Sequence, residues 1–148
     1  MDLDHVAAAL AIAEAHSRYA RALDERNWPM LDTVFAPHVQ ADYNSGEFRV
    51  DGRAELVAMI RSHLDGCGPT QHLLGTPHVE VGDGETDARS RIYVRAAHRG
   101  AGAKQPLLYE ALGEYVAAWK RTPDGWRAIH WAMRVNLEIG TRDVLGSH

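Results

Sequence analysis

A carboxylate stands where this chain's first helix should be apolar. From Leu3 onward, small and apolar residues recur at helical spacing (Val6, Leu10, Ala13, Ser17, Ala20), and the next position on that line is Asp24. A carboxylate on a buried stripe is costly without a partner, so either Asp24 has one or the helix emerges there. The nine histidines bring complementary chemistry. Histidine has the ordinary pKa suited to removing a proton next to a carbonyl at neutral pH. A carboxylate behind such a ring fixes its tautomer and stabilises the imidazolium. A tyrosine or arginine in front of it stabilises the enolate oxygen or assists a departing hydroxyl.

Strand patterning sorts the histidines. Between residues 86 and 99 the even positions (Ala88, Ser90, Ile92, Val94, Ala96, His98) are small or apolar and the odd ones mostly charged, so His98 belongs to the buried face. Its plainer reading is a histidine at a strand end where water returns. His72 shares a face with Leu74 and His78, and by itself reads as a satisfied core residue. In the last strand, the apolar odd row (Ile129, Trp131, Met133, Val135, Leu137) alternates with His130 and Arg134. Either the odd row is the core face and His130 and Arg134 are solvated, or the even row lines a polar pocket and the odd row is buried between subunits.

The elements that must position these residues follow from periodicity and turn chemistry. A long helix is expected at 3–26 and a short one at 28–35, opened by Asn27 and Pro29 and closed by Pro37. A strand at 39–43 turns through Asn44-Ser45-Gly46 into a partner at 47–50, and Asp51 caps a third helix at 53–64. Beyond Pro69 the pattern is strand: 71–81, 86–99, 107–121 and 126–139, with hairpin turns at Gly82-Asp83-Gly84 and Pro123-Asp124-Gly125. The expected class is α+β, a strongly curved antiparallel sheet wrapped in a cone around the N-terminal helices, in a single domain over 1–148.

Composition narrows the function. A 45% hydrophobic content over 148 residues suffices for a core, and a formal net charge of −4 with dispersed basic residues argues against nucleic acid or a membrane surface as partner. No apolar run approaches the roughly 18 residues of a membrane span. Cys67 cannot form an internal disulfide and sits in a turn, which makes the cytoplasm the expected location and a cysteine nucleophile a poor expectation. Metal-ligand spacings, Gly-rich phosphate loops and the Gly-x-Ser-x-Gly elbow are lacking, so no metal or other cofactor is expected.

Asp24 with Trp28, then Ala36-Pro37, Asp42-Tyr43 and Gln71-His72-Leu73-Leu74-Gly75, in that order, resemble the scytalone dehydratase branch of the SnoaL-like, nuclear transport factor 2-like superfamily. The spacing from Tyr19 to Asp24, His72 and a late Arg134 also resembles bile acid 7α-dehydratase, and Asp24 and His72 resemble hexachlorocyclohexane dehydrochlorinase. The resemblance implies that Asp24 and His72 meet inside the cone, His72 acting as base. It places Tyr19 at a helix tyrosine of the dehydratases and Tyr43 at a tyrosine that contacts the substrate carbonyl. Departures are Leu23, where scytalone dehydratase has its other helix tyrosine, and Ala96, where the bile acid enzyme has a strand aspartate; Arg134 matches that enzyme's arginine only with one residue skipped.

The function this implies is a cofactor-independent dehydratase-type lyase acting on a cyclic, largely apolar substrate such as a steroid or polyketide. The alternatives are an isomerase or cyclase using the same base, and a non-catalytic ligand-binding module. Trp28, Leu56, Met59, Ile60, Leu74, Leu112 and Trp131 are expected in the pocket wall, with Arg134, His98 and His130 as polar contacts. A homodimer or homotrimer through the sheet is expected.

Overall fold

The computed structural model describes residues 2–146. Helix α1 spans Leu3–Asp24 and is opened by Asp2, whose carboxylate accepts the His5 amide hydrogen at 2.9 Å. Its buried residues are Ala8, Ile12, Ala15, His16, Tyr19, Ala20, Ala22 and Leu23; of the expected line Ala20 is buried, whereas Val6 and Leu10 are 45% and 60% exposed. Alanines lie on most faces of this helix, so hydropathy discriminates weakly. Packing selects the face that carries Ile12, Tyr19 and Leu23. Asp24 therefore stands at the edge of the stripe, half-buried.

A 3₁₀ turn at Trp28–Thr33 precedes β1 (Phe35–Tyr43), β2 (Phe48–Asp51) and α2 (Arg53–Leu64). The short helix ends early, and Pro37 lies within β1, where the register against its neighbour is irregular. Gly52, at φ +93°, caps α2 in place of Asp51. Then come β3 (Thr70–Leu74), β4 (His78–Val81), β5 (Asp87–Arg99), β6 (Leu108–Thr122) and β7 (Gly125–Gly140). Gly75-Thr76-Pro77 splits the strand expected at 71–81, because Pro77 offers no amide hydrogen to the ladder. His78 consequently lies exposed and does not share the inward face of His72.

The sheet runs β2-β1-β7-β6-β5-β3, with β4 beside β3 on β5. β5, β6 and β7 form the expected meander, whereas β1 joins β7 in parallel. Two irregularities in the β6–β7 ladder, opposite Ala118/Trp119 and Leu112/Gly113, change which β7 positions face inward. Trp126 and Ala128 point in, then Trp131 and Met133. Neither the even row nor the odd row is therefore the core face throughout. Among the described residues no helix is long and apolar enough to cross a membrane.

Candidate active site

Helix α1 ends by turning Arg26 into a left-handed conformation, φ +55°, while the Asn27 amide reaches back to the Ala22 carbonyl at 2.8 Å. Glycine is usual at such a position, and an L side chain there costs about 1–2 kcal/mol. Three hydrogen bonds offset it: the Arg26 guanidinium donates to the Leu23 carbonyl (2.7 Å), to Thr70 Oγ1 (2.8 Å) and to the Gly68 carbonyl (2.8 Å). The end of α1 is thereby fastened to the start of β3.

Asp24 and His72 face each other across this joint. The Asp24 carboxylate takes the His72 ring at Nδ1 (2.7 Å), the His72 amide (2.9 Å) and the Thr70 hydroxyl (3.0 Å). Burial works to raise the Asp24 carboxyl, but the His72 and Thr70 hydrogen bonds outweigh it and hold the group below the usual carboxylate range. An ionised Asp24 can only accept, so Nδ1 carries the hydrogen and Nε2 is the free nitrogen. The His72 side chain is buried and lines a cavity of about 500 Å³, within the usual range for small-molecule sites.

Tyr19 and Leu23, one turn apart on α1, reach this cavity directly, while Asp24 reaches it through His72. Tyr19 and Asp24 project to different sides of the helix, and the ring of His72 bridges that difference. The Tyr19 ring is edge-on to His72 at 6.4 Å and lies 5.1 Å from Tyr115. The Tyr19 and Tyr43 hydroxyls share a short hydrogen bond, and the Trp131 indole N–H donates to Tyr43 Oη at 2.9 Å. Burial pushes both phenols well above their ordinary value, so both stay protonated.

His98 stands edge-on to His72 at 5.7 Å. Its Nδ1 donates to the Tyr109 carbonyl at 3.0 Å, which leaves Nε2 bare. Burial, aided by the nearby His72, pushes its pKa down to about 4. His98 is thus a neutral acceptor at neutral pH. A second polar group of lining residues consists of His63, Asn44, Glu47 and Arg142, with Arg142 tied to Glu138, Glu47 and Asn44.

Of the residues the sequence nominated, the structure brings Asp24, His72, Tyr19, Tyr43, His98 and Met59 together. Ile60 also lines the cavity; Trp28, Leu56, Leu74, Leu112 and Trp131 do not. Trp28 lies under the Arg61 guanidinium at 5.7 Å, and Leu74 packs into the core beyond the cavity. His130 and Arg134 are exposed on the outer side of the sheet, a correction imposed by the β7 irregularities. Tyr115, Tyr109, His63 and Arg142 escaped sequence reasoning. Tyr115 lies on the odd row of β6 with Tyr109, Ala111 and Trp119, an alternation as readable as that of β5. His63 and Arg142 carry no such signal. Among the described residues one group has metal-ligand proximity, Asp2, His5 and Glu85, none of which lines the cavity.

The sequence profile of the SnoaL-like domain matches residues 4–132. The chain belongs to the SnoaL-like domain family. A relative by sequence, an uncharacterised protein of Mycobacterium tuberculosis, is 38% identical over 112 residues, 75% of this chain and 74% of that one. The Kfla4162 protein from Kribbella flavida has the same fold, with a TM-score of 0.85 at 20% identity over 95% of this chain and 97% of its own. So has a protein of Novosphingobium aromaticivorans provisionally named a scytalone dehydratase, with a TM-score of 0.81 at 19% identity over 95% and 92%. Hexachlorocyclohexane dehydrochlorinase LinA-type3 from Novosphingobium barchaimii gives 0.81 at 14% over 95% and 94%. This SnoaL-like chain thus has the mixed α+β architecture of the nuclear transport factor 2-like superfamily.

Proposed function

We propose that this protein is a cofactor-independent lyase that removes a proton next to a carbonyl in a cyclic, largely apolar substrate and expels a hydroxyl as water. The observation that carries the reading is the 2.7 Å contact between Asp24 and His72 Nδ1, which leaves His72 Nε2 as the nitrogen available to the cavity. His72 Nε2 takes the α-proton, and the C–H electrons move into the carbonyl to give an enolate. A phenol of the Tyr19–Tyr43 pair donates to the enolate oxygen. The electrons then return to form the new C=C bond as the β-hydroxyl leaves. The His72 imidazolium gives that hydroxyl its proton, releasing water, while His98 Nε2 accepts a hydrogen bond from the departing group. Two eliminating enzymes by name, the dehydrochlorinase and the dehydratase, share the fold, which supports elimination over isomerisation or cyclisation.

The assay that isolates the first step is deuterium uptake at the α-carbon of cyclic ketones, 2-tetralone and 4-chromanone among them, in heavy water. The expected result is exchange faster with the protein than with the His72→Ala variant. Equal rates for both proteins on every ketone would overturn the reading and leave a binding module.

We further propose a homodimer or homotrimer that covers Leu73, Tyr93, Leu137 and Ile139. These are large apolar side chains exposed in the folded chain. Of the odd row of β7 only the outer end, Leu137 and Ile139, needs covering, since Trp131 and Met133 are core residues.

A further inference from the structure

The cavity has a second polar end, and its chemistry differs from that around His72. Strand pairing leads from His72 to Ala96, from Ala96 to Ala111 and from Ala111 to Glu138. Three interstrand steps of about 4.8 Å put Glu138 roughly 14 Å from His72 along the curved sheet. Ala96 and Ala111 both line the cavity on the way. Two methyl groups side by side make a shallow floor, which suits a flat fused ring. Met59, Ile60 and Leu64 line the cavity from α2 and keep its middle apolar.

At the far end stand Arg142, Glu47, Asn44 and His63. The Arg142 guanidinium donates to Glu138, to Glu47 at 3.4 Å and to Asn44 Oδ1 at 3.2 Å. The Asn44 amide donates to Glu47 in turn. Two carboxylates against one guanidinium leave no positive charge over for an anionic ligand. Glu47 and Arg142 are about half exposed, so water screens the charge that remains. His63 is the group with capacity to spare. Its Nδ1 meets the Met59 carbonyl at 2.9 Å, and a carbonyl can only accept, so Nδ1 carries the hydrogen and Nε2 is an acceptor. Among the described residues none hydrogen-bonds that Nε2. Phe48 packs edge-on against the ring at 5.0 Å, and the Gly146 amide holds the His63 carbonyl at 2.9 Å.

Resting on the proton-abstraction reading above, we infer that the substrate is a flat fused-ring ketone with a hydroxyl group on the ring remote from the reacting carbon, and that His63 Nε2 accepts the hydrogen of that hydroxyl. His63 then determines specificity and takes no part in the bond-breaking steps. A hydroxyl fits because it is a neutral donor. A carboxylate would meet Glu47 and Glu138. An ammonium group would leave water for a largely apolar cavity with only screened charge in return.

Calorimetric titration with 6-hydroxy-2-tetralone, 6-methyl-2-tetralone and 2-tetralone-6-carboxylate tests this. In all three the carbonyl and the substituent lie at opposite ends of the fused ring. Hydroxyl and methyl are close in size, so the ratio of their Kd values isolates the hydrogen bond. His63→Phe should cut the preference for the hydroxyl compound about tenfold, the worth of one ordinary hydrogen bond. Loss of the Met59 contact in that variant touches both ligands alike and cancels in the ratio. His63→Gln keeps an acceptor and should retain the preference. The carboxylate should bind more weakly than the methyl compound. A ratio unmoved by His63→Phe, a carboxylate that binds tightest, or a hydroxyl compound that does not bind overturns the inference. Failure of the proton-abstraction reading would show separately, as deuterium exchange equal in the parent and His72→Ala, and would leave the Kd ratio as it is.

Discussion

Asp24 holds His72 by two different bonds, one oxygen on the ring at 2.7 Å and the other on the backbone amide at 2.9 Å. The second bond fixes the carboxylate against the start of β3, so the ring-facing oxygen has no freedom to turn away.

This grip makes Asp24→Asn severe for activity. An asparagine whose oxygen keeps the His72 amide must aim its NH₂ at Nδ1, which forces the hydrogen onto Nε2 and removes the base. Exchange should fall on the order of 10⁴-fold while the circular dichroism spectrum stays that of the parent. A variant within tenfold of the parent would break the assignment.

Either phenol changed to phenylalanine should keep the fold and slow exchange, Tyr19→Phe by on the order of 10²-fold or more. Equal rates in both variants and the parent would reduce the tyrosines to packing.

Acid should weaken the fold before it touches Asp24. Burial pushes both His16 and His98 down to about 4 from an ordinary 6.5. The unfolded chain therefore takes up a proton at each ring as pH drops below about 6.5, and the folded chain does so only near 4. Stability should decline across that window by on the order of 3 kcal/mol for each ring. At lower pH the contribution of Asp24, whose carboxyl is depressed, is lost in turn as it protonates. Urea midpoints measured from pH 7 to pH 4.5 check this; a flat profile would contradict it.

Gly113 sits where β7 slips its register, and a methyl group there would lie 1.8 Å from the Arg134 carbonyl oxygen and 3.0 Å from Val135 Cα. Gly113→Ala should destabilise by about 1–3 kcal/mol. It should also disturb ligand binding, since Met133 and Val135 line the cavity. Thermal melting and ligand titration measure the two effects.

For assembly, light scattering at micromolar concentration should return twice or three times the chain mass. Leu137→Lys with Ile139→Lys should reduce it to one. A monomeric parent removes the proposed interface.

The fold class and the nomination of Asp24 and His72 were readable because they depend on local pattern and on order along the chain. Strict alternation carried β5, and His98 with it. β7 defeated the same reasoning, because its inward positions change register at places set by the neighbouring strand. That is why His130 and Arg134 were drawn toward a cavity they do not reach. Helix α1 misled for another reason: with alanine on nearly every face, only tertiary packing decides that Tyr19 goes in and Leu10 stays out. Arg142 meets Glu47 and Asn44 through the path of the C-terminal segment, and His63 on α2 lies edge-on to Phe48; no periodicity encodes either contact.

The parallel pairing of β1 with β7 has a consequence for biosynthesis. Tyr43 and Trp131 are 88 positions apart, and β1 has its β7 edge open until the final strand has been made. During translation the inner face of α1 and the free edge of β1 must wait, apolar and unshielded, while β3 to β6 are added. Contacts of such long sequence separation close slowly, and an exposed strand edge in the interval invites mispairing or a chaperone. A nascent chain stalled before β7 would hold Asp24 and His72 but have no indole beneath its tyrosines.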